Sequence, residues 1–260
     1  MTNSQSPSFG GSTRPGALLE VRGLGVSFGG TRLFSEVEFD CLPGQITCIT
    51  GPNGSGKTTL LNVLAGFLTP SEGTVRYYGR VARPFSPLTV ARIGNGVARS
   101  FQTPFTVASL STLDNVAVGR RQVTEGPLGV LKYAPMRDGN ETSIRNEARM
   151  LLERLGLGGQ AEVFGLELSA GQRRRADLAR AVFSQSQLLL LDEPFANLDP
   201  EVALGVAKLL QDMANEGRSV LVIEHRSGLA LSIADVLLEI SGRRLVPARH
   251  ASTHASEGPH

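Results

Sequence analysis

The sequence predicts an α/β fold in which a largely parallel sheet carries helices on both faces. Three observations lead there. Helical and strand-like segments alternate late in the chain: a helix from about Ala170, a strand Leu188 to Leu191, a helix from Pro200 and a strand Ser219 to Ile223. The run from Leu188 to Leu191 is apolar throughout, as a strand covered on both faces must be. Finally, Gly51 to Thr58 sets a glycine-rich turn between a strand, Gln45 to Thr50, and a helix that follows Gly56.

The elements follow in order. Residues 1–15 are polar and rich in Ser and Gly without apolar periodicity, so they read as a disordered tail. Strand-like runs come next, at Ala17 to Ser27, Glu36 to Cys41 and Gln45 to Thr50. The helix after Gly56 carries Leu60, Leu61, Leu64 and Phe67 on one side, and Thr74 to Arg80 reads as another strand. Asn140 is placed to cap a helix in which Ile144, Ala148, Leu151, Leu152 and Leu155 recur at spacings of three and four, with Gly156 and Gly158 as stop signals. Asp199 is placed to cap the helix from Pro200, and Gly217 to end it. Residues 248–260 form a second tail, and the chain holds no internal repeat.

Composition bounds the function. With 41% apolar residues, 19% charged residues and a net charge of +2, the chain is an ordinary globular one and lacks the basic surface of a nucleic-acid binder. Residues 1–14 contain no apolar stretch resembling a secretory signal, and no apolar run approaches the ~20 residues of a membrane span. Cys41 and Cys48 lie in apolar strand-like runs without metal-ligand spacing and read as small, reduced core residues. Arg173-Arg174-Arg175 reads as a solvated helix face. His250, His254 and His260 sit in the tail, where no fixed geometry would support a metal.

The chemistry starts at Gly51-Pro52-Asn53-Gly54-Ser55-Gly56-Lys57-Thr58, followed by Thr59. Glycines let successive backbone N–H groups converge on phosphate oxygens, and the helix start adds its positive end. Lys57 would reach the β- and γ-phosphates, and the Thr58 hydroxyl would ligate Mg²⁺. The pattern implies a bound nucleoside triphosphate. Asp192 and Glu193 follow the apolar run directly, at the strand end where open α/β sheets place ligands. Asp192 would hold the magnesium, directly or through water, and Glu193 would polarise the attacking water as general base.

Leu168-Ser169-Ala170-Gly171-Gln172 resembles the signature of ABC ATPases and lies 23 residues before Asp192, counted from Ser169. Such a site, a Ser hydroxyl and glycine amides at a helix start, suits an anion. In the family it faces the γ-phosphate held by a partner subunit. The resemblance implies a RecA-like P-loop NTPase core, an antiparallel β subdomain and a helical subdomain at about 104–166, all within a nucleotide-binding domain at 16–247. It also implies roles for further residues. Gln102 would sense Mg²⁺, His225 would contact the γ-phosphate, and Asp199 would belong to the loop after the catalytic strand. Phe28 would stack on adenine, or else serve as a core residue. Two chains would close head to tail on two Mg·ATP, each site taking Lys57, Thr58, Gln102, Asp192, Glu193 and His225 from one chain and Ser169, Gly171 and Gln172 from the other.

Within the family, Ser27-Phe28-Gly29-Gly30, Arg99-Ser100-Phe101-Gln102 and Leu113-Asp114-Asn115-Val116 are most similar to ATPases of branched-chain amino acid or urea and amide importers. Those systems carry a similar insertion, here at about 119–139. The resemblance implies a peripheral subunit on the cytoplasmic face of the inner membrane, with permease subunits, a like or unlike second ATPase, a substrate-binding protein and no nucleic acid as partners. Exporter ATPases and soluble ABC ATPases are the alternatives. Three departures stand out: Ala170 replaces a glycine, Arg226 follows His225 where relatives have an acid, and the C-terminal segment is short.

Overall fold

The computed structural model describes residues 16–94, 96–101, 104, 106–120, 140–225 and 228–248. The expected N-terminal tail, residues 249–260 of the C-terminal one, residues 121–139 of the expected insertion, Gln102 and Arg226 lie outside the described residues, as does the side chain of Phe28.

The chain opens with β1 (Leu19–Phe28) and β2 (Thr31–Cys41), then β3 (Ile46–Thr50), α1 (Lys57–Leu64) and β4 (Glu72–Tyr77). It continues through α2 (Pro87–Arg92), β5 (Val97–Arg99), α3 (Thr112–Ala117), α4 (Asn140–Arg154) and α5 (Ala170–Phe183). It ends with β6 (Leu188–Asp192), α6 (Pro200–Asn215), β7 (Ser219–Ile223), α7 (Gly228–Ile233), β8 (Val236–Ser241) and β9 (Arg244–Pro247). Two sheets result. One is antiparallel, in the order β2-β1-β4; the other runs β5-β6-β7-β3-β8-β9 and is parallel except for its last pair.

The six-stranded sheet divides two cores, and its strands show why their sequences are apolar without a break. Leu188 and Leu190 of β6, with Leu221 and Ile223 of β7, face the core shared with α1 and the antiparallel sheet. Leu189 and Leu191, with Val220 and Val222, face the core shared with α4, α5 and α6. A period-2 strand covered on both sides must be apolar at every position, and each buried leucine contributes about 2 kcal/mol of transfer free energy. Cys41 and Cys48 are buried, one in each core and both free, and burial pushes both thiols up to about 12.

Several local expectations need correcting. β2 begins at Thr31 rather than Glu36, and β4 covers Glu72–Tyr77, with Arg80 already in the turn that bonds back to Tyr77. α1 stops at Leu64, so Phe67 leaves the apolar side of that helix; it is 54% exposed and meets the Phe101 ring edge-on at 5.5 Å. Asn140 is the first residue of α4 rather than its preceding cap. Asp199 stands at the cap position of α6, but its side chain makes no capping hydrogen bond there.

Arginines lock the helices at their carbonyl ends. Arg218 donates to the carbonyls of Val182, Ser184 and Ser186 at 3.2, 2.9 and 2.9 Å, closing the C-terminal end of α5. Arg175 donates to the carbonyls of Leu155 and Gly156 at 3.2 and 3.1 Å, just beyond α4. These groups would otherwise be orphaned at the helix ends. Along α5, the buried Asp177 accepts the Phe101 backbone N–H at 2.7 Å, tying the helix to the chain just past β5.

Candidate active site

The glycine loop leaves the C-terminal end of β3 and turns into α1 at Gly56, whose φ of 94° is left-handed. A Cβ there would also stand 2.5 Å from Cζ of Phe34, so the loop lies against the antiparallel sheet with no room for a side chain. No side chain caps α1, which leaves its first N–H groups to the space above the loop. Lys57 folds back over that loop, its Nζ donating to the carbonyls of Gly51 at 2.8 Å and Pro52 at 3.0 Å. Burial lowers the Lys57 pKa, and the nearby charges of Glu193, Asp192 and Glu224 oppose that shift. Ser55 Oγ is buried without a hydrogen-bond partner.

Asp192 ends β6 and is 3% exposed. Neither of its carboxylate oxygens has a hydrogen-bond partner of ordinary geometry. Burial raises its pKa, Arg99 acts against this, Glu193 adds to it, and the Thr58 hydroxyl acts weakly to lower it. A buried carboxylate whose oxygens lack well-formed hydrogen bonds is what a divalent cation completes, so Asp192 and Thr58 fit a hard metal ion carrying phosphate ligands. The Asp192 N–H is held by Ser100 Oγ at 3.1 Å.

Glu193 turns the chain out of β6 at φ 48°, and its N–H donates to Ile223 of β7 at 2.8 Å. Its carboxylate is engaged at both oxygens: His225 Nε2 lies 2.9 Å from Oε1, and the Arg174 guanidinium lies 3.2 Å from Oε2. Beside it, Glu224 is 4% exposed and accepts the Phe195 N–H at 3.2 Å. Burial, with a smaller push from Glu193, raises the Glu224 pKa to about 7 against the N–H groups of Phe195 and His225. Lys57, Asp192, Glu193 and His225 thus gather at one end of the parallel strands.

The Ser169 segment is closed on itself. Ser169 Oγ accepts the Gln172 N–H at 3.2 Å, and Gln172 Oε1 accepts the Ser169 N–H at 2.8 Å, closing a capping box at the start of α5. A Cβ on Gly171 would meet nothing within 4 Å. None of Ser169, Gly171 and Gln172 is bonded to residues 51–58.

Sequence reasoning missed three participants. Ser100 stands out in sequence only as part of a longer run, Glu224 carries no motif, and Arg174 reads as part of a solvated face. In fact Arg174 reaches Glu193 and Arg175 reaches the end of α4, so that expectation fails for two of the three arginines. The signal available was weak: a charged residue beside an apolar strand end, as at Glu224, has to find a partner or shift its pKa.

Comparison with known proteins agrees with this geometry. Residues 34–196 match the ABC transporter family. The chain is 32% identical over 235 residues to the L-cystine import ATP-binding protein TcyC of Bacillus subtilis, covering 88% of this chain and 89% of that protein. It is 33% identical over 221 residues to the high-affinity branched-chain amino acid transport ATP-binding protein LivG of Escherichia coli, covering 84% and 86%. Among solved structures, the ADP conformation of MJ1267, an ATP-binding cassette of an ABC transporter, superposes with a TM-score of 0.70 at 29% identity, covering 88% of this chain and 89% of that one. With the phosphate loop, the two acids after β6 and the Ser169 segment in these places, the chain belongs to the ABC transporter family as a subunit that binds and hydrolyses ATP.

Proposed function

We propose that this subunit powers a separate membrane permease, importing an amino acid or a related small polar solute, by closing and opening with a second ATPase subunit. The observation that carries the two-subunit reading is that the Ser169 segment makes no hydrogen bond to the phosphate loop of its own chain. Ser169 and Gln172 satisfy each other's backbone, Gly171 faces open space, and none is bonded to residues 51–58. A nucleotide on the loop of one chain would take its second set of contacts from Ser169, Gly171 and Gln172 of another. Closure on ATP drives the permease and hydrolysis resets it, because ADP cannot bridge the two chains equally well.

The residues of the site then take distinct roles. The loop from Gly51 to Gly56, with Lys57, Thr58 and Thr59, holds the phosphates, and Phe28 stacks on the base. Asp192, Thr58 and Gln102 hold Mg²⁺, which would neutralise phosphate charge when bound. Lys57 exchanges the carbonyls of Gly51 and Pro52 for phosphate oxygens. His225 leaves Glu193 for the γ-phosphate, freeing Oε1 to act on water, and Asp199 lies at the subunit boundary. The nucleotide-binding domain would occupy 16–247, with its helical subdomain at about 104–166.

The amino-acid cargo rests on the resemblance of the Ser27-Phe28-Gly29-Gly30 and Arg99-Ser100-Phe101-Gln102 runs to importer ATPases and on the likeness to LivG and TcyC. Those two relatives serve different amino acids at the same level of identity, so recognition of the solute belongs to the permease and a binding protein. No helix among the described residues is long and apolar enough to cross a membrane, which fits a peripheral position on the cytoplasmic face.

The test is to tag Glu193→Gln, solubilise native membranes with Mg·ATP and identify what co-purifies. A polytopic permease is expected, with a second ATPase if the pair is unlike and without one if it is like. Recovery of ribosomes or DNA-repair proteins instead would overturn the transport reading.

A further inference from the structure

Resting on the assignment of Glu193 as the base, we propose that Arg174 is a positioning residue for hydrolysis, which grips Oε2 of Glu193 and leaves Oε1 as the atom that receives the proton. In that step the water oxygen bonds to the γ-phosphorus and the bond to the bridging oxygen breaks. Its electron pair leaves on ADP, and a water proton passes to Oε1.

The geometry is specific to this arginine. One nitrogen of the guanidinium lies 3.3 Å from the Glu193 carbonyl oxygen and 3.2 Å from its Oε2. Main chain and side chain of the same residue are therefore held by a single donor group. Glu193 needs such restraint, because its left-handed backbone at φ 48° is unfavourable for a residue with a side chain. The Glu193 N–H on Ile223 supplies one anchor and Arg174 the other. Both side chains are largely withdrawn from water, at 22% and 18% exposure, so the pair is less screened than a surface bridge.

Arg174 also lies in the crevice lined by Ser100, Phe101, Asp192 and Glu193. It stands one turn inside the helix that begins with the Ser169 box. The placement of the carboxylate is thereby tied to the helix that would present Ser169 and Gly171 to a second chain. His225 occupies Oε1 on the other side, and its departure frees that oxygen alone. A planar guanidinium suits two acceptors on one residue better than the compact ammonium of lysine.

The experiment compares Arg174→Gln, Arg174→Lys, Glu193→Gln and the double variant Arg174→Gln/Glu193→Gln in the full chain, measuring kcat, KM for ATP, ATP affinity and Tm. Arg174→Gln is expected to lower kcat by about 10-fold or more, the scale of a small misplacement of a catalytic group. KM and ATP affinity should stay within about twofold, since the ATP contacts lie elsewhere. Arg174→Lys should recover part of kcat, and the double variant should be no slower than Glu193→Gln. A wild-type kcat for Arg174→Gln, or an equal loss with and without Glu193, would overturn the proposal. So would a parallel loss of ATP affinity or folding in both Arg174 variants. If Glu193→Gln itself turns over like wild type, it is the base assignment that fails, a different result from an inert Arg174.

Discussion

Among the described residues, Glu224 is the one whose protonation the fold has moved furthest into the working range. Its ordinary value of 4.5 is raised to about 7, chiefly by burial. Between those values the folded chain keeps a proton that the unfolded chain releases, so stability is greatest below the lower value and declines as pH rises through the window. Above about 7 the full penalty is present, at most roughly 3 kcal/mol. Glu224→Gln keeps an acceptor for the Phe195 N–H and removes the titration. Its Tm should gain on wild type from pH 5 to about pH 7 and hold a constant lead above that, and parallel Tm curves across the range would show that Glu224 does not titrate there. At this scale the sequence was legible where a motif fixes a residue by its neighbours, as at Lys57, Thr58, Asp192 and Glu193. It was silent where a role depends on a partner far along the chain. Arg174 and Glu193 are 19 positions apart, and Ser100 and Asp192 are 92 apart; neither spacing has a periodicity to betray it.

Among the elements, α5 depends most visibly on a distant side chain. Arg218, just before β7, takes three carbonyls at the end of that helix, two of them at 2.9 Å. Arg218→Ala should destabilise the chain by about 2–3 kcal/mol, since charge-assisted bonds are lost and half-buried carbonyls are left unpaired. The urea midpoint should fall with an unchanged m-value, and Arg218→Lys should restore only part of the loss. Elements long enough to repeat a period, such as α4, α5 and α6, or apolar throughout, such as β6 and β7, could be read from sequence. The short pieces α2, β5, α3 and α7 could not, because six residues or fewer hold too little pattern to identify a face. The β8–β9 pair was also unread, though Ser241-Gly242-Arg243-Arg244 holds its turn.

For the whole molecule, the lack of any hydrogen bond between the Ser169 segment and the phosphate loop has a measurable consequence. Lys57→Met leaves a chain with a sound Ser169 segment, and Gly171→Asp leaves one with a sound loop. Each should be inactive alone. Mixed in equal amounts without a second ATPase, they should recover roughly a quarter of wild-type turnover, because half the pairs are mixed and each of those has one intact site. No recovery would mean that hydrolysis does not draw on two chains in this way. The fold itself was the most legible level of all, since alternating strands and helices with a loop after β3 leave few alternatives.

The bond between Asp177 and the Phe101 N–H carries a mechanical meaning beyond its stabilising effect. Arg174 and Asp177 are three positions apart on α5 and so share one side of it, one holding Glu193 and the other holding the strand end beside Ser100. A helix with its side chains has a radius of about 5 Å, so a roll of about 10° sweeps its surface through nearly 1 Å. That is the tolerance of a hydrogen bond. Torque on this single rod therefore reaches Glu193 and the strand end beside Ser100 in the same stroke.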